Sequence, residues 1–176
     1  MPYTDPGAVT TGTTITSTWG NAVRNAEQYL ADQPAVRVFH NTTQSLASGT
    51  EASLAFNAES FDAATPMHDT VTNNSRITIT DAGVYQVSWG FTIAADTDYL
   101  WIYSYVRLNG TTLILLGSSV GTQTDNALSP HSSGSGPYKF AAADYIEVRA
   151  AQKNTSANAN NVSANNYFAA HRLGAG

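Results

Sequence analysis

The 176-residue sequence has no cysteine, so it forms neither a disulfide nor a thiolate metal site. Charge is scarce as well. Asp, Glu, Lys and Arg make up 12% of the chain, about half the quarter usual for soluble domains. Thr, Ser, Asn, Ala and Gly fill the gap, so solubility comes from hydroxyls and amides, a composition suited to a densely assembled surface. The net charge of −5 gives no basic field, which sets nucleic acid aside as a partner. No run approaches the ~18 apolar residues of a spanning helix, so no membrane partner is expected. The opening Met1-Pro2-Tyr3-Thr4-Asp5-Pro6-Gly7 lacks the basic and apolar regions of a signal peptide. Any exit from a cell is therefore expected by another route, such as within a particle released at lysis.

Catalytic signatures are missing too. There is no nucleophile elbow, no phosphate-cradling Gly loop and no His-Glu-x-x-His. His40, His68, His131 and His171 fall on separate segments without ligand spacing. Asp96 and Asp98 flank Thr97 and form a weak Ca²⁺ candidate, since the EF-hand pattern does not continue past them. Glu59, Asp62 and Glu147 are carboxylates that could meet in space for glycoside hydrolysis, but nothing in their spacing brings them together. The expectation is a non-enzyme without cofactor or metal.

What is present is alternation. Arg76-Ile77-Thr78-Ile79 and Tyr85-Gln86-Val87-Ser88-Trp89-Gly90-Phe91 repeat with period two, as half-buried strands do. Asp81-Ala82-Gly83 between them supplies turn chemistry. This stretch is the expected centre of the core. Further strands are expected at 36–40, 53–62, 111–116, 138–140 and 144–151, with one weak strand in the Ser/Gly/Thr/Asn-rich 117–136. Asn109-Gly110 is the strongest short hairpin signal. One helix stands apart, over 19–31, capped by Ser17 or Thr18, with Trp19, Val23, Ala26 and Leu30 on one stripe. The reading is an all-β antiparallel sandwich of jelly-roll type, residues 35–176, preceded by an N-terminal arm and one α-helix, residues 1–34.

Strand 99–108 has two apolar faces. Leu100, Ile102, Val106 and Leu108 line one; Tyr99, Trp101, Tyr103 and Tyr105 line the other. A strand of a two-sheet sandwich turns only one face to its core, and an open aromatic stripe is a patch that monomers avoid. Three covers suit it: a sister subunit, a sugar ring, or the N-terminal helix. Subunit contact is favoured because Tyr and Trp are enriched at interfaces.

Several short motifs then fall in a familiar order. Ala55-Phe56-Asn57-Ala58-Glu59-Ser60-Phe61-Asp62, Met67-His68-Asp69, Gly83-Val84-Tyr85-Gln86-Val87-Ser88, Leu108-Asn109-Gly110-Thr111, Asp144-Tyr145-Ile146-Glu147-Val148 and Tyr167-Phe168-Ala169-Ala170-His171-Arg172-Leu173 resemble the C1q/TNF-like jelly roll over residues 36–174. Ala143 stands where that family usually has glycine. The resemblance implies two antiparallel sheets and a homotrimer about a three-fold axis, with Tyr99, Trp101, Tyr103 and Tyr105 as the expected trimer contact. Residues 11–24, a Thr-Gly arm leading into a Trp-Asn helix, are similar to leader segments on structural proteins of tailed bacteriophages. Together they imply a virion protein on the particle surface, a capsid decoration or fibre module. Trp19, Val23, Ala26 and Leu30 would dock it on the major capsid protein or a tail component. The alternative is an adhesin at a tail-fibre or capsid-fibre tip, binding a host or environmental glycan through loops 117–136 and 152–164.

Overall fold

The computed structural model describes residues 5–63, 65–94, 98–118, 129–164 and 166–175, with only the backbone of 29–31. The chain divides into two units, residues 1–33 and 34–176. The first unit holds helix α1 (Ser17–Ala31). Its cap is Thr16, one residue before the expected pair. The Thr16 hydroxyl accepts the N–H of Trp19 at 3.2 Å, which satisfies one of the helix's orphan donors. Trp19 Nε1 donates to the carbonyl of Gly7 at 3.3 Å, tying the arm to the helix start.

The second unit is built of strands. They are β1 (Ala35–Phe39), β2 (Gln44–Leu46), β3 (Ala52–Ser53), β4 (Ala58–Ala63), β5 (Arg76–Thr78) and β6 (Gly83–Thr92), followed by β7 (Tyr99–Leu108), β8 (Thr112–Leu116), β9 (His131–Phe140), β10 (Tyr145–Asn154), β11 (Asn160–Val162) and β12 (Tyr167–Gly174). One sheet runs β4-β1-β12-β6-β9. The other runs β3-β10-β7-β8, with β5 also on β10, and β11 pairs β2 in a small third sheet. Every pairing between these strands is antiparallel. The expected β sandwich is what the chain forms.

The core lies between the two large sheets. Tyr85, Val87, Trp89 and Phe91 of β6 are at most 1% exposed, with Ile77, Ile79, Ile102, Val106 and Phe168 packed among them. The two runs around Asp81-Ala82-Gly83 do not pair with each other. β5 joins β10 in one sheet, whereas β6 lies between β12 and β9 in the other, so the turn carries the chain across the sandwich. One polar network bridges the layers. Trp89 Nε1 donates to Ser104 Oγ at 2.9 Å, and Ser104 and Ser132 share a hydrogen bond of 2.7 Å. A buried indole N–H needs such a partner, because leaving it unmade costs about 1–3 kcal/mol.

Two bulges decide what β7 and β8 show to solvent. Trp101 pairs with Lys153 but Tyr99 with Asn154, so Leu100 is the extra residue and the parity of the strand reverses there. Likewise Val106 pairs with Leu115 and Arg107 with Leu113, leaving Ile114 extra. The hairpin between them is as expected, with Asn109 at φ 49° and Gly110 at φ 71°, the two left-handed positions of a tight hairpin turn.

Candidate functional site

The outward face of β7 carries the feature singled out from the sequence. Trp101 and Tyr103 stack with centroids 5.2 Å apart and planes 27° from parallel; Tyr103 and Tyr105 follow at 6.2 Å and 18°. Glu51, from the loop before β3, closes the ladder. The hydroxyls of Tyr103 and Tyr105 donate to its Oε1 and Oε2 at 2.8 and 2.7 Å. Arg107 donates to the Tyr105 hydroxyl at 2.5 Å and to Glu51 at 3.5 Å, while Arg149 stands 4.0 Å from Glu51. These bonds to Tyr105 and Tyr103 hold the Glu51 carboxyl below its ordinary range. Burial first, then the bond to Glu51, pushes the Tyr103 hydroxyl up to about 12.

The expected contact set needs correction at two residues. Tyr99 is not on the outward face. The Leu100 bulge turns it into the core, where it is 0% exposed and its hydroxyl donates to the carbonyl of Ala94 at 2.8 Å. Tyr105 is outward but only 5% exposed, covered by Arg107 and Glu51. Trp101 and Tyr103 stay half-buried at the surface. Beside them the Ile114 bulge places two leucines three residues apart on this same side. Leu116, opposite Tyr105, is 73% exposed, and Leu113, opposite Arg107, is 48% exposed. Both leucines lie on β8, the edge strand of its sheet. The sequence reading missed them because period two puts residues 113 and 116 on opposite faces.

The stacking bears on the sugar reading of this strand. A sugar ring lies on an open aromatic face, and the middle ring, Tyr103, turns one face to Trp101 and the other to Tyr105.

The other candidates are engaged in the fold. Asp98 Oδ2 accepts the Thr155 hydroxyl at 2.7 Å, the Ser156 N–H at 2.8 Å and the Ser156 hydroxyl, so this oxygen is taken up by the loop after β10. Asp96 and the Leu30 side chain lie outside the described residues. Among the described residues no three His, Asp or Glu side chains group as metal ligands. Glu59 and Asp62 come near each other, and each is already engaged. Asp62 accepts the N–H groups of Met67 and His68, and Glu59 meets His68 Nδ1 at 2.9 Å. Glu147 takes Ser75 and Arg76. Of the residues expected to dock the chain, Trp19 and Val23 are half-buried and Ala26 is buried.

No protein-family model matches the chain, and no curated protein matches it either. Solved structures do. The globular domain of zebrafish complement 1qA is 13% identical with a TM-score of 0.56, the alignment covering 81% of this chain and 98% of that one. The fold is the C1q/TNF-like jelly roll. Murine APRIL, at 11% identity and a TM-score of 0.60, shares it over 80% of this chain and 99% of its own. Eiger TNF from S. frugiperda does so at 11% identity and a TM-score of 0.55, over 82% and 95%.

Proposed function

We propose that the chain is a non-enzymatic structural module of a tailed-bacteriophage particle, a homotrimer of decoration or fibre type held on the particle surface by residues 1–34. The observation that carries the trimer is the apolar surface at one sheet edge: the exposed Leu113 and Leu116 on β8, which has no further strand beside it among the described residues, next to the half-buried Trp101 and Tyr103 on β7. Edge strands of this kind invite pairing or burial. The C1q/TNF-like fold supports three-fold assembly as the form that burial takes. The scarcity of charge suits a crowded particle surface, and the resemblance of residues 11–24 to phage leader segments supports the anchor. Three arms on one trimer would bind together, so weak single contacts sum to tight docking on the capsid or tail.

The non-enzymatic reading is supported by how Glu59, Asp62, Glu147 and His68 are used: each is engaged by a backbone donor or an ion pair that holds a loop. Sedimentation at several concentrations tests the trimer, and a monodisperse monomer would refute it. Particles stripped of the protein test the anchor. The full chain should rebind them and a chain lacking residues 1–34 should not; rebinding by the shortened chain would place docking elsewhere.

A further inference from the structure

The segment between β4 and β5 encloses a cleft of about 320 Å³ whose walls include Asp69, Thr72, Asn73, Arg76, Thr78 and Tyr145. Its walls are fixed by internal bonds. Asp62 accepts the N–H groups of Met67 and His68, and the His68 ring is held between Glu59 and the carbonyl of Asn74. A site whose walls are already set loses little on binding.

Arg76 is the decisive side chain. Its guanidinium carbon lies 4.1 Å from the centroid of the Tyr145 ring, and its Nε donates to Glu147 at 3.4 Å. The side chain is 36% exposed, and its two terminal nitrogens have no hydrogen-bond partner among the described residues. A guanidinium pinned by its face and its inner nitrogen, with the outer fork open, matches a planar carboxylate in two-point geometry. The remaining lining suits hydroxyls. Asp69 Oδ1 accepts the N–H groups of Val71 and Thr72 at 2.8 and 2.9 Å, which leaves Oδ2 for a ligand. The backbone bonds from Thr72 and Val71 also hold this carboxyl below its ordinary range, keeping it an acceptor at neutral pH. Thr72, Thr78 and Asn73 add hydroxyl and amide groups. Pro66, Met67 and the Tyr145 ring, the last under the Arg76 guanidinium, are the apolar lining.

We infer that this cleft binds an acidic sugar, its carboxylate on the Arg76 fork and its hydroxyls on Asp69, Asn73 and Thr78. The inference stands on the cleft alone and is independent of trimer and anchor. The test is an amide-resolved NMR titration of the full chain with N-acetylneuraminic acid and with glucuronic acid, beside methyl glucoside and acetate. Saturable shifts with at least one acid, confined to the amides of residues 66–78 and Tyr145, are expected. Methyl glucoside and acetate should each bind about tenfold more weakly or less, each lacking one half of the recognition. Arg76→Lys keeps the charge beside Glu147 but loses the fork, and should weaken the acid about tenfold. Asp69→Asn keeps the turn-forming oxygen and should also weaken it. Absence of saturable shifts with both acids, shifts mapping elsewhere, equal binding of either control, or undiminished binding by both variants would each overturn the inference.

Discussion

Ala143 sits at φ +70°, where a Cβ crowds the backbone at a cost of roughly 1–2 kcal/mol. Hydrogen bonds on both sides hold it there. Its N–H donates to Ile79 at 2.8 Å, and Asp144 Oδ2 accepts the N–H of Ala141 at 2.8 Å. The glycine that the C1q/TNF-like resemblance led one to expect here is thus explained by backbone geometry. Ala143→Gly should raise stability by about 0.5–1 kcal/mol, after allowing for the greater freedom that glycine gives the unfolded chain. A higher urea midpoint at unchanged slope is the expected readout, and a lower midpoint refutes it. Tyr103 gives a pH-dependent counterpart. Its hydroxyl is raised from an ordinary 10.0 to about 12 in the folded chain. The unfolded chain therefore loses this proton first as pH climbs, and the stability that Tyr103 contributes is intact below 10 and lost as pH rises toward 12. Urea unfolding should show wild type more stable than Tyr103→Phe at neutral pH, with the gap narrowing through that window. A gap that widens there contradicts the assignment. Such residue-level bonds were not legible in the sequence, because Glu51 reaches Tyr103 from 52 positions away.

Strands with ordinary alternation were legible; those shaped by their neighbours were not. β6 announced itself because Tyr85, Val87, Trp89 and Phe91 fill the core in strict period two. β9 reads His131-Ser132-Ser133-Gly134-Ser135-Gly136-Pro137 at its start, and looked like loop. Its small residues are there to make room. A Cβ on Gly134 would stand 2.4 Å from Trp89 Cζ2, and one on Gly136 would stand 2.8 Å from Leu115 Cδ2. Pro137 is tolerated because β9 is the edge of its sheet. The Gly134 contact yields a direct test. The Trp89 indole is 0% exposed and tethered to Ser104, so it cannot swing aside without giving up that bond. Gly134→Ala should cost about 1–3 kcal/mol through overpacking, lowering the thermal midpoint by roughly 2–4 °C per kcal/mol for a chain this long. An unchanged midpoint would mean that the indole can move aside without losing its bond to Ser104. Tyr99 teaches the same lesson from β7. Counting by twos placed it beside Trp101, but a single extra residue at Leu100 sends it to the core. Bulges carry no sequence signature in this chain, so face assignments fail just past them.

At the scale of the whole molecule, the proposed three-fold assembly makes a demand that one apolar edge does not meet. A cyclic trimer is heterologous: the patch on one copy meets a different surface on the next. The outward face of the sheet β4-β1-β12-β6-β9 offers that surface. Its middle rows are Ala169, Ser88 and Ser135, then Tyr167, Gly90 and Ser133, neighbours by strand register. These residues carry no charge and, Tyr167 apart, have short side chains. Gly90 lets the Tyr167 ring lie close to the sheet, since a Cβ there would stand 2.8 Å from Cε1, and Arg37 rests over that ring at 4.9 Å. A neighbour can approach such a face closely, and a charge set in its centre would be buried without a partner, at several kcal/mol. Ser88 is the centre, flanked by Ala169 and Ser135 and pointing away from the core. Ser88→Arg should leave the fold and thermal unfolding of the isolated protomer unchanged, because the side chain extends into solvent there. It should shift the mass in solution from trimer to monomer. Sedimentation that still shows a trimer would remove this face from the assembly. The partner of the Leu113–Leu116 edge would then have to be sought on another surface of the protomer.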